Sequence, residues 1–259
     1  MSKNDILSVD NMAKLPLDYD NYIFDLYGTL VDICTKEDSD ELWQKVALFY
    51  GYYDAIYEPD ELKKRYSELV RGKEAELKLT LENDSRYAHE ASPEIELTDV
   101  FTALFAEKGI SASEELAIHA GQLFRIISTE YVKVYPGTVE MLKFLKEQGK
   151  GVYLLSNAQR IFTAHEMNVL GISKYFDAIL ISSDYKTKKP DKRFFDIIID
   201  KYNIDVDKAL FIGNDSCTDI KGAKNVNLDT FYVKSNISPK DDSGKDALFS
   251  VDNFKGWTI

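Results

Sequence analysis

The sequence predicts an α/β protein, a doubly wound parallel sheet with an all-helical segment inserted after its first strand. Three observations carry that prediction. Short apolar runs and amphipathic segments alternate through the C-terminal half, the pattern of a parallel sheet with helices on both faces. Residues 36 to about 133 show helical patterns and no strand pattern, which is too long for a loop. Polar residues follow four of the apolar runs, at Asp25, Ser156-Asn157, Ser182-Ser183-Asp184 and Asp215. Open α/β sheets bind their ligands there, beyond the carboxyl ends of the strands.

Each element follows from its pattern. "YIF" (22–24) reads as a short buried strand that runs into Asp25 and a Gly28-Thr29 turn. Four segments then read as helices, three with acidic starts that suit the helix dipole: "EDSDELWQKVALFYGYY", "PDELKKRYSELVRGKEAELKL", "PEIELTDVFTALFAEKGI" and "SASEELAIHAGQLFRIISTEYVKV". The Tyr-rich run 49–57 falls among them and reads as packing. "PGTVEMLKFLKEQG" places Met141, Leu142 and Leu145 at helical spacing, with Gly149 as the stop. "KGVYLLSN", "DAILIS", "KALFIGND" and "DTFYV" read as strands. "AQRIFTAHEMNVLG", "KPDKRFFDIIIDKYN" and "CTDIKGAKN" read as the helices between them, the second with Pro190 suited to a first helical turn. The segment 235–249 is turn-rich and expected at the surface. The expected domains are a core made of 1–35 and 134–259, and a helical insertion over 36–133.

Composition narrows the function. Apolar residues make up 44% and charged residues 29% of the 259, as in ordinary globular proteins. No apolar run approaches the ~20 residues of a membrane span. The N-terminus has no apolar leader core, so the expected location is cytoplasmic. Cys34 and Cys217 fit a reducing compartment and show no metal spacing; Cys217 reads as a small buried residue. The three histidines are scattered, which supports neither a His-rich metal site nor a His-based triad. A net charge of −12 disfavours nucleic acid and anionic membranes as partners. A phosphorylated substrate would need that field reversed locally, by a divalent cation or a buried lysine.

"FDLYGTLVD", "LLSNA", "KKPDKRFF" and "IGNDSCTDIKGA" occur in that order, each following an apolar strand. In these segments the chain resembles the haloacid dehalogenase-like (HAD) hydrolases that carry a helical cap after the first motif. The resemblance covers nearly the whole chain. It implies a Rossmann-like core with an inserted all-α cap, and Asp25 as a nucleophile that forms an aspartyl-phosphate in phosphatases or an aspartyl ester in dehalogenases. The residue types agree: a carboxylate at a strand end can split one hard displacement into two easier ones. Ser156 can donate to a transferring oxygen, and Lys189, with Lys188 as its neighbour, can screen an incoming anion. Tyr27, Thr29 and Asn157 are the implied substrate-binding positions. Asp25, the Tyr27 carbonyl, Asp215 and Asp219 offer the oxygen cluster that Mg²⁺ prefers, with Asn214 as the alternative to Asp215.

Tyr27 breaks the pattern. Phosphatases of the family place a second aspartate there to protonate the leaving alkoxide. A phenol, with pKa near ~10, is a poor substitute, and loss of such help costs about 10²–10⁴-fold. "DLYGTL" is the form of the family's 2-haloacid dehalogenases, where halide leaves without a proton. Against that reading, two aspartates stand where dehalogenases have a Ser-Asn pair. No arginine lies between Cys34 and Tyr57, and Phe195 replaces their tyrosine. The phosphonate-cleaving branch, which uses a cap lysine, has Lys63, Lys64 and Lys73 as candidates. The expectation is a Mg²⁺-dependent phosphatase for a small phosphorylated metabolite. The alternatives are a 2-haloacid dehalogenase-like hydrolase and a catalytically weak binder of phosphorylated ligands. No oligomeric state is legible, and a monomer is compatible.

Overall fold

The computed structural model describes residues 11–259; the first ten, on which part of the leader and core-boundary reading rests, lie outside them. The strands are β1 (Met12–Lys14), β2 (Asn21–Phe24), β3 (Val31–Thr35), β4 (Thr129–Val134), β5 (Gly151–Ser156), β6 (Ala178–Ile181), β7 (Ala209–Gly213), β8 (Asp229–Val233), β9 (Phe249–Val251) and β10 (Gly256–Thr258). The helices are α1 (Asp40–Tyr52), α2 (Pro59–Glu82), α3 (Leu97–Glu107), α4 (Glu114–Ser128), α5 (Thr138–Glu147), α6 (Arg160–Val169), α7 (Ser182–Tyr185), α8 (Lys192–Tyr202) and α9 (Lys221–Lys224).

Six strands form a wholly parallel sheet in the order β6-β5-β2-β7-β8-β9. Its central strands are nearly continuous apolar runs because both faces are covered. Side-chain alternation divides them cleanly. Tyr22, Phe24, Val152, Leu154, Leu210 and Ile212 face one core with Met141, Leu142 and Leu145 of α5 and Met167 of α6. Ile23, Tyr153, Leu155 and Phe211 face the other with Phe194, Phe195 and Ile198 of α8 and Ala223 of α9. This is the doubly wound sheet that the alternating pattern predicts. The strand order reverses at β2, which pairs with β5 on one side and β7 on the other. The carboxyl end of β2 is therefore the switch point where such sheets bind ligands.

Helices α1–α4 enclose a separate aromatic cluster that includes Trp43, Tyr50, Phe101, Phe105 and Phe124. Tyr50 and Tyr57 bury their rings there and donate their hydroxyls to the carbonyls of Phe101 (2.9 Å) and Leu104 (2.6 Å), so two members of the Tyr-rich run are packing residues. Phe162 of α6 joins the same cluster and seats the helices on the sheet's flank. Ser39 and Ser113 cap α1 and α4 by accepting from Leu42 N and Leu116 N. No described helix is long and apolar enough to cross a membrane.

Four local expectations need correction. The segment expected to be helical through Val134 leaves the helix at Ser128, and β4 pairs antiparallel with β3. Its sequence TEYVKV carries the β-branched and aromatic residues that favour a pleated surface, and β3 gives it a partner. Helix α8 starts at Lys192 with Asp191 as its N-cap, so Pro190 precedes the cap instead of occupying the first turn. Ser216–Ile220 forms a π-helical turn ahead of α9. Cys217, on that turn, is exposed and not buried. The short strands β1, β9 and β10 gave no legible periodicity. β10 pairs with β1 and carries Trp257, whose Nε1 donates to the Thr29 carbonyl at 3.0 Å.

Candidate active site

The chain leaves β2 at Asp25, whose N–H still donates to the Ile212 carbonyl (2.8 Å), and turns back through bonds from Leu30 and Val31 N–H to the Leu26 carbonyl. Gly28 sits in this turn at φ +88°, and a Cβ there would lie 2.3 Å from Asn214 Nδ2. Glycine is required twice over, for the positive φ and for the close approach. The contact brings the residues after β7 against the loop after β2.

Lys189 joins the two. It is buried, with Nζ 2.6 Å from Asp25 Oδ1 and 2.7 Å from Asp219 Oδ1. Burial pulls the Lys189 ammonium down, but the Asp219 and Asp25 carboxylates outweigh it and hold its pKa above the ordinary value. Burial pushes the Asp219 carboxyl up to about 7, against the opposing pull of Lys189. The lysine's backbone is clamped as well. Asn157, just past β5, donates Nδ2 to the Lys189 carbonyl (2.9 Å) and accepts from the Lys189 N–H at Oδ1 (2.8 Å). The inserted segment holds the same loop: Lys188 N–H donates to the Ser92 carbonyl, and Ser92 N–H donates to Asp191 Oδ2.

The turn after β7 is built on its own carboxylates. Asp215 Oδ1 accepts from the N–H groups of Cys217 and Thr218 (2.7 and 2.9 Å). Asp219 Oδ2 accepts from those of Asn214 and Asp215 (3.0 and 3.1 Å). Gly213 leaves room for this return, since a Cβ there would lie 2.3 Å from Asp219 Oδ2.

Asp25, Tyr27, Asn157, Lys189, Asp215 and Asp219 line one open cleft of about 340 Å³ with Asn214, Thr218, Ile237 and Pro239. Ser156 and Thr29 are fully buried and are not part of the lining, and the hydroxyl of each lacks a hydrogen-bond partner among the described residues. Buried polar atoms are rarely left so, and these two belong to the end of β5 and to the turn after β2. Lys188 turns away toward Glu74 and Glu94 (3.6 and 3.8 Å). Tyr27 directs its hydroxyl away from Asp25: Oη lies 3.0 Å from Thr163 Oγ1 and donates to Glu166 Oε2 at 2.5 Å. Arg125 of α4 donates Nε to the other Glu166 oxygen at 2.6 Å. Burial, then the Glu166 charge, raises the phenol well above its usual pKa, against the pull of Arg125. Neither Glu166 nor Arg125 was singled out from the sequence, and no local motif marks them. Thr218 falls inside a recognised motif, whereas Ile237 and Pro239 lie in the stretch read only as a surface tail.

The donors present bear on a metal. Among the described residues no three His, Cys, Asp or Glu side chains converge as ready ligands. Asp219 Oδ2 accepts from two backbone N–H groups, whereas Oδ1 lies 2.7 Å from Lys189 Nζ without a hydrogen bond among the described residues. Asp25 Oδ2, Asp215 Oδ2 and the Tyr27 carbonyl accept no hydrogen bond among the described residues. These are hard oxygens, and Mg²⁺ binds through one or two carboxylates while keeping several waters. The donor chemistry fits that ion, and the unpartnered Asp219 Oδ1 is a further hard oxygen at the same place.

An open α/β sheet with a carboxylate and a buried lysine at its switch point defines a broad class of ligand-binding and catalytic proteins. The match is narrower: the model of the haloacid dehalogenase-like hydrolase family covers residues 19–227, and the chain belongs to that hydrolase family. Over 104 residues it is 29% identical to the glyceraldehyde 3-phosphate phosphatase of Pyrococcus abyssi, covering 40% of this chain and 44% of that one. Over 99 residues it is 33% identical to a phosphoglycolate phosphatase of Agrobacterium fabrum, covering 38% and 42%. The chain thus spans less than half the length of these curated relatives. A 2-haloacid dehalogenase from Pseudomonas syringae pv. Tomato DC3000 superposes with TM-score 0.57 at 16% identity, covering 87% of this chain and 90% of that one. A HAD phosphatase from Thermococcus onnurineus superposes with TM-score 0.54 at 18% identity, covering 90% and 93%. At such identities the superpositions show the shared fold and do not choose between the two chemistries.

Proposed function

We propose that this protein is a Mg²⁺-dependent phosphatase for a small phosphorylated metabolite, with Asp25 as the nucleophile. The observation that carries the reading is the buried Lys189 held between Asp25 and Asp219 at the switch point. The phosphatase names of the partial relatives support the same substrate class. Asp25 attacks phosphorus, the bond to the leaving oxygen breaks, and an aspartyl-phosphate forms; water then attacks its phosphorus and frees Asp25. Lys189 offsets negative charge at the carboxylate and the transferring group. Asn157 positions Lys189 through its backbone, and Asp219 holds its ammonium. The unpartnered hydroxyls of Ser156 and Thr29 are the donors for phosphoryl oxygens, once a ligand draws them forward. A bound Mg²⁺ would rest on Asp25, the Tyr27 carbonyl, Asp219 and Asp215 or Asn214, and would supply charge neutralisation for an incoming phosphate.

Tyr27 is not the missing acid in this reading, because its proton is directed to Glu166. The preferred leaving groups are those that depart without protonation, such as aryl and acyl phosphates. Among the described residues, those of 1–35 and 134–259 make the core and those of 36–133 the cap, and the β3–β4 ribbon joins them. A cytoplasmic location and a monomer fit this assignment. The committed Tyr27 proton also favours a second reading, a 2-haloacid dehalogenase-like hydrolase, since halide needs no proton. Release of p-nitrophenol from its phosphate ester, dependent on Mg²⁺, supports the phosphatase. Halide release from 2-chloropropionate without metal, and no ester hydrolysis, replaces it with the dehalogenase.

A further inference from the structure

The loop that carries Lys189 has a second support besides Asn157, and it comes from the inserted segment. Residues 92–94 run antiparallel beside 186–188. Lys188 N–H donates to the Ser92 carbonyl at 2.9 Å and Glu94 N–H donates to the Lys186 carbonyl at 3.2 Å, with Pro93 and Thr187 paired between them. Gln159, the N-cap of α6, extends the fastening. It donates Nε2 to the Ile95 carbonyl and accepts from the Leu97 N–H at Oε1, both at 2.9 Å.

Asp191 closes the far side of the loop and is buried. Its Oδ2 accepts from the Ser92 N–H at 2.9 Å, and its Oδ1 accepts from the Arg193 N–H, also at 2.9 Å. The Arg193 guanidinium donates Nη1 to both Asp191 oxygens (3.1 and 2.8 Å) and Nη2 to the Leu81 carbonyl of α2 at 2.7 Å. It lies over the Tyr87 ring, 4.5 Å from the centroid. Residues on both sides of Lys189, Lys188 and Asp191, are thus bonded to one residue of the insertion, Ser92. Capping α8 needs only the bond from the Arg193 N–H; the bonds to Ser92 and Leu81 serve something else.

We propose that Asp191 is a positioning residue for Lys189: it ties the lysine's loop to Ser92 of the insertion, and the tie stays made through turnover, so the insertion does not leave this flank of the cleft. The proposal rests on the phosphatase reading for what Lys189 does there, and adds what holds it. Lys189 Nζ stands 2.6 and 2.7 Å from two carboxylates, so a small backbone shift changes which charge it neutralises. Misplacement by about 1 Å costs up to about 10²-fold in rate.

A reversible cross-link tests this. Pro93 and Thr187 form the non-hydrogen-bonded pair of the bridge, a geometry with Cα atoms about 4.5 Å apart and within disulfide reach. Pro93→Cys/Thr187→Cys is assayed on p-nitrophenyl phosphate with Mg²⁺, oxidised and after dithiothreitol, with the wild type treated alike as control. The two forms are expected to agree within about twofold in kcat and KM. Asp191→Asn offers one acceptor oxygen where the carboxylate uses two. In the reduced cysteine pair it is expected to lower kcat by about tenfold or more, with KM changed far less. Oxidation reties the same two stretches and is expected to return most of that loss, which it would not do for a direct role in the chemistry. Amide exchange of the wild type needs neither activity nor a variant that folds: the N–H groups of Ser92, Glu94 and Lys188 are expected to be protected to within about tenfold of those of α8. Turnover that oxidation abolishes and dithiothreitol restores shows that the flank must open, and overturns the proposal. So does Asp191→Asn at an undiminished kcat, a loss that oxidation leaves in place, or exchange of those three amides at the rate of an unstructured chain. If the wild type hydrolyses no p-nitrophenyl phosphate, the phosphatase reading falls, and amide exchange still decides whether the tie holds.

Discussion

Lys189 shows how much one residue holds at this site. It is the partner of two carboxylates that are themselves almost fully buried. Lys189→Met keeps the packing volume but leaves both acids unpaired, which is expected to cost about 3–5 kcal/mol, read as a lower urea midpoint at unchanged m-value, together with lost activity. Tyr27 makes the opposite case. Its motif position is visible in the sequence, but its partners Glu166 and Arg125 lie 139 and 98 positions away and are brought to it only by the fold. Tyr27→Asp places a carboxyl where the phosphatases of the family carry one. It is expected to raise kcat/KM for alkyl phosphates by about tenfold or more, and for aryl phosphates much less, because only the former need the proton. Equal gains for both classes would remove the leaving-group explanation.

At the scale of elements, the turns after β2 and β7 are sequence-encoded devices. Gly213→Ala is expected to push Asp219 off its backbone N–H groups, costing about 1–3 kcal/mol and lowering kcat. Gly72, inside α2 with nothing within 4 Å of an added Cβ, is the control: Gly72→Ala should stabilise by about 0.5–1 kcal/mol, seen as a higher melting temperature. These turns were legible because strand, polar stop and helix recur at motif spacing. The β3–β4 ribbon was not. Thr129–Val134 continues an amphipathic helix pattern without a break in sequence, and only pairing with Val31–Thr35, about a hundred residues away, resolves it as a strand. The place of Ile237 and Pro239 in the cleft was equally hidden, since turn-rich composition marks a surface segment and says nothing of what it lines.

The whole molecule places an acidic chain around a buried lysine at the switch point of its sheet. The parallel sheet, its two cores and the helical insertion followed from alternation and from the length between the first strand and "PGTVEML". The strand order around β2 needed the structure, because alternation alone does not say which strands are neighbours. The insertion has its own aromatic core, so Phe124→Ala is expected to cost about 3–5 kcal/mol, with amide exchange accelerated first in α1–α4. The central claim concerns Asp25 as a nucleophile served by Mg²⁺ and Lys189. Its most direct test is turnover of p-nitrophenyl phosphate by the wild type and by folded Asp25→Asn, with Mg²⁺ and with EDTA. The prediction is Mg²⁺-dependent turnover that EDTA removes and that Asp25→Asn lowers by roughly 10⁴-fold or more. Turnover by Asp25→Asn near the wild-type rate, or turnover indifferent to EDTA, would contradict it.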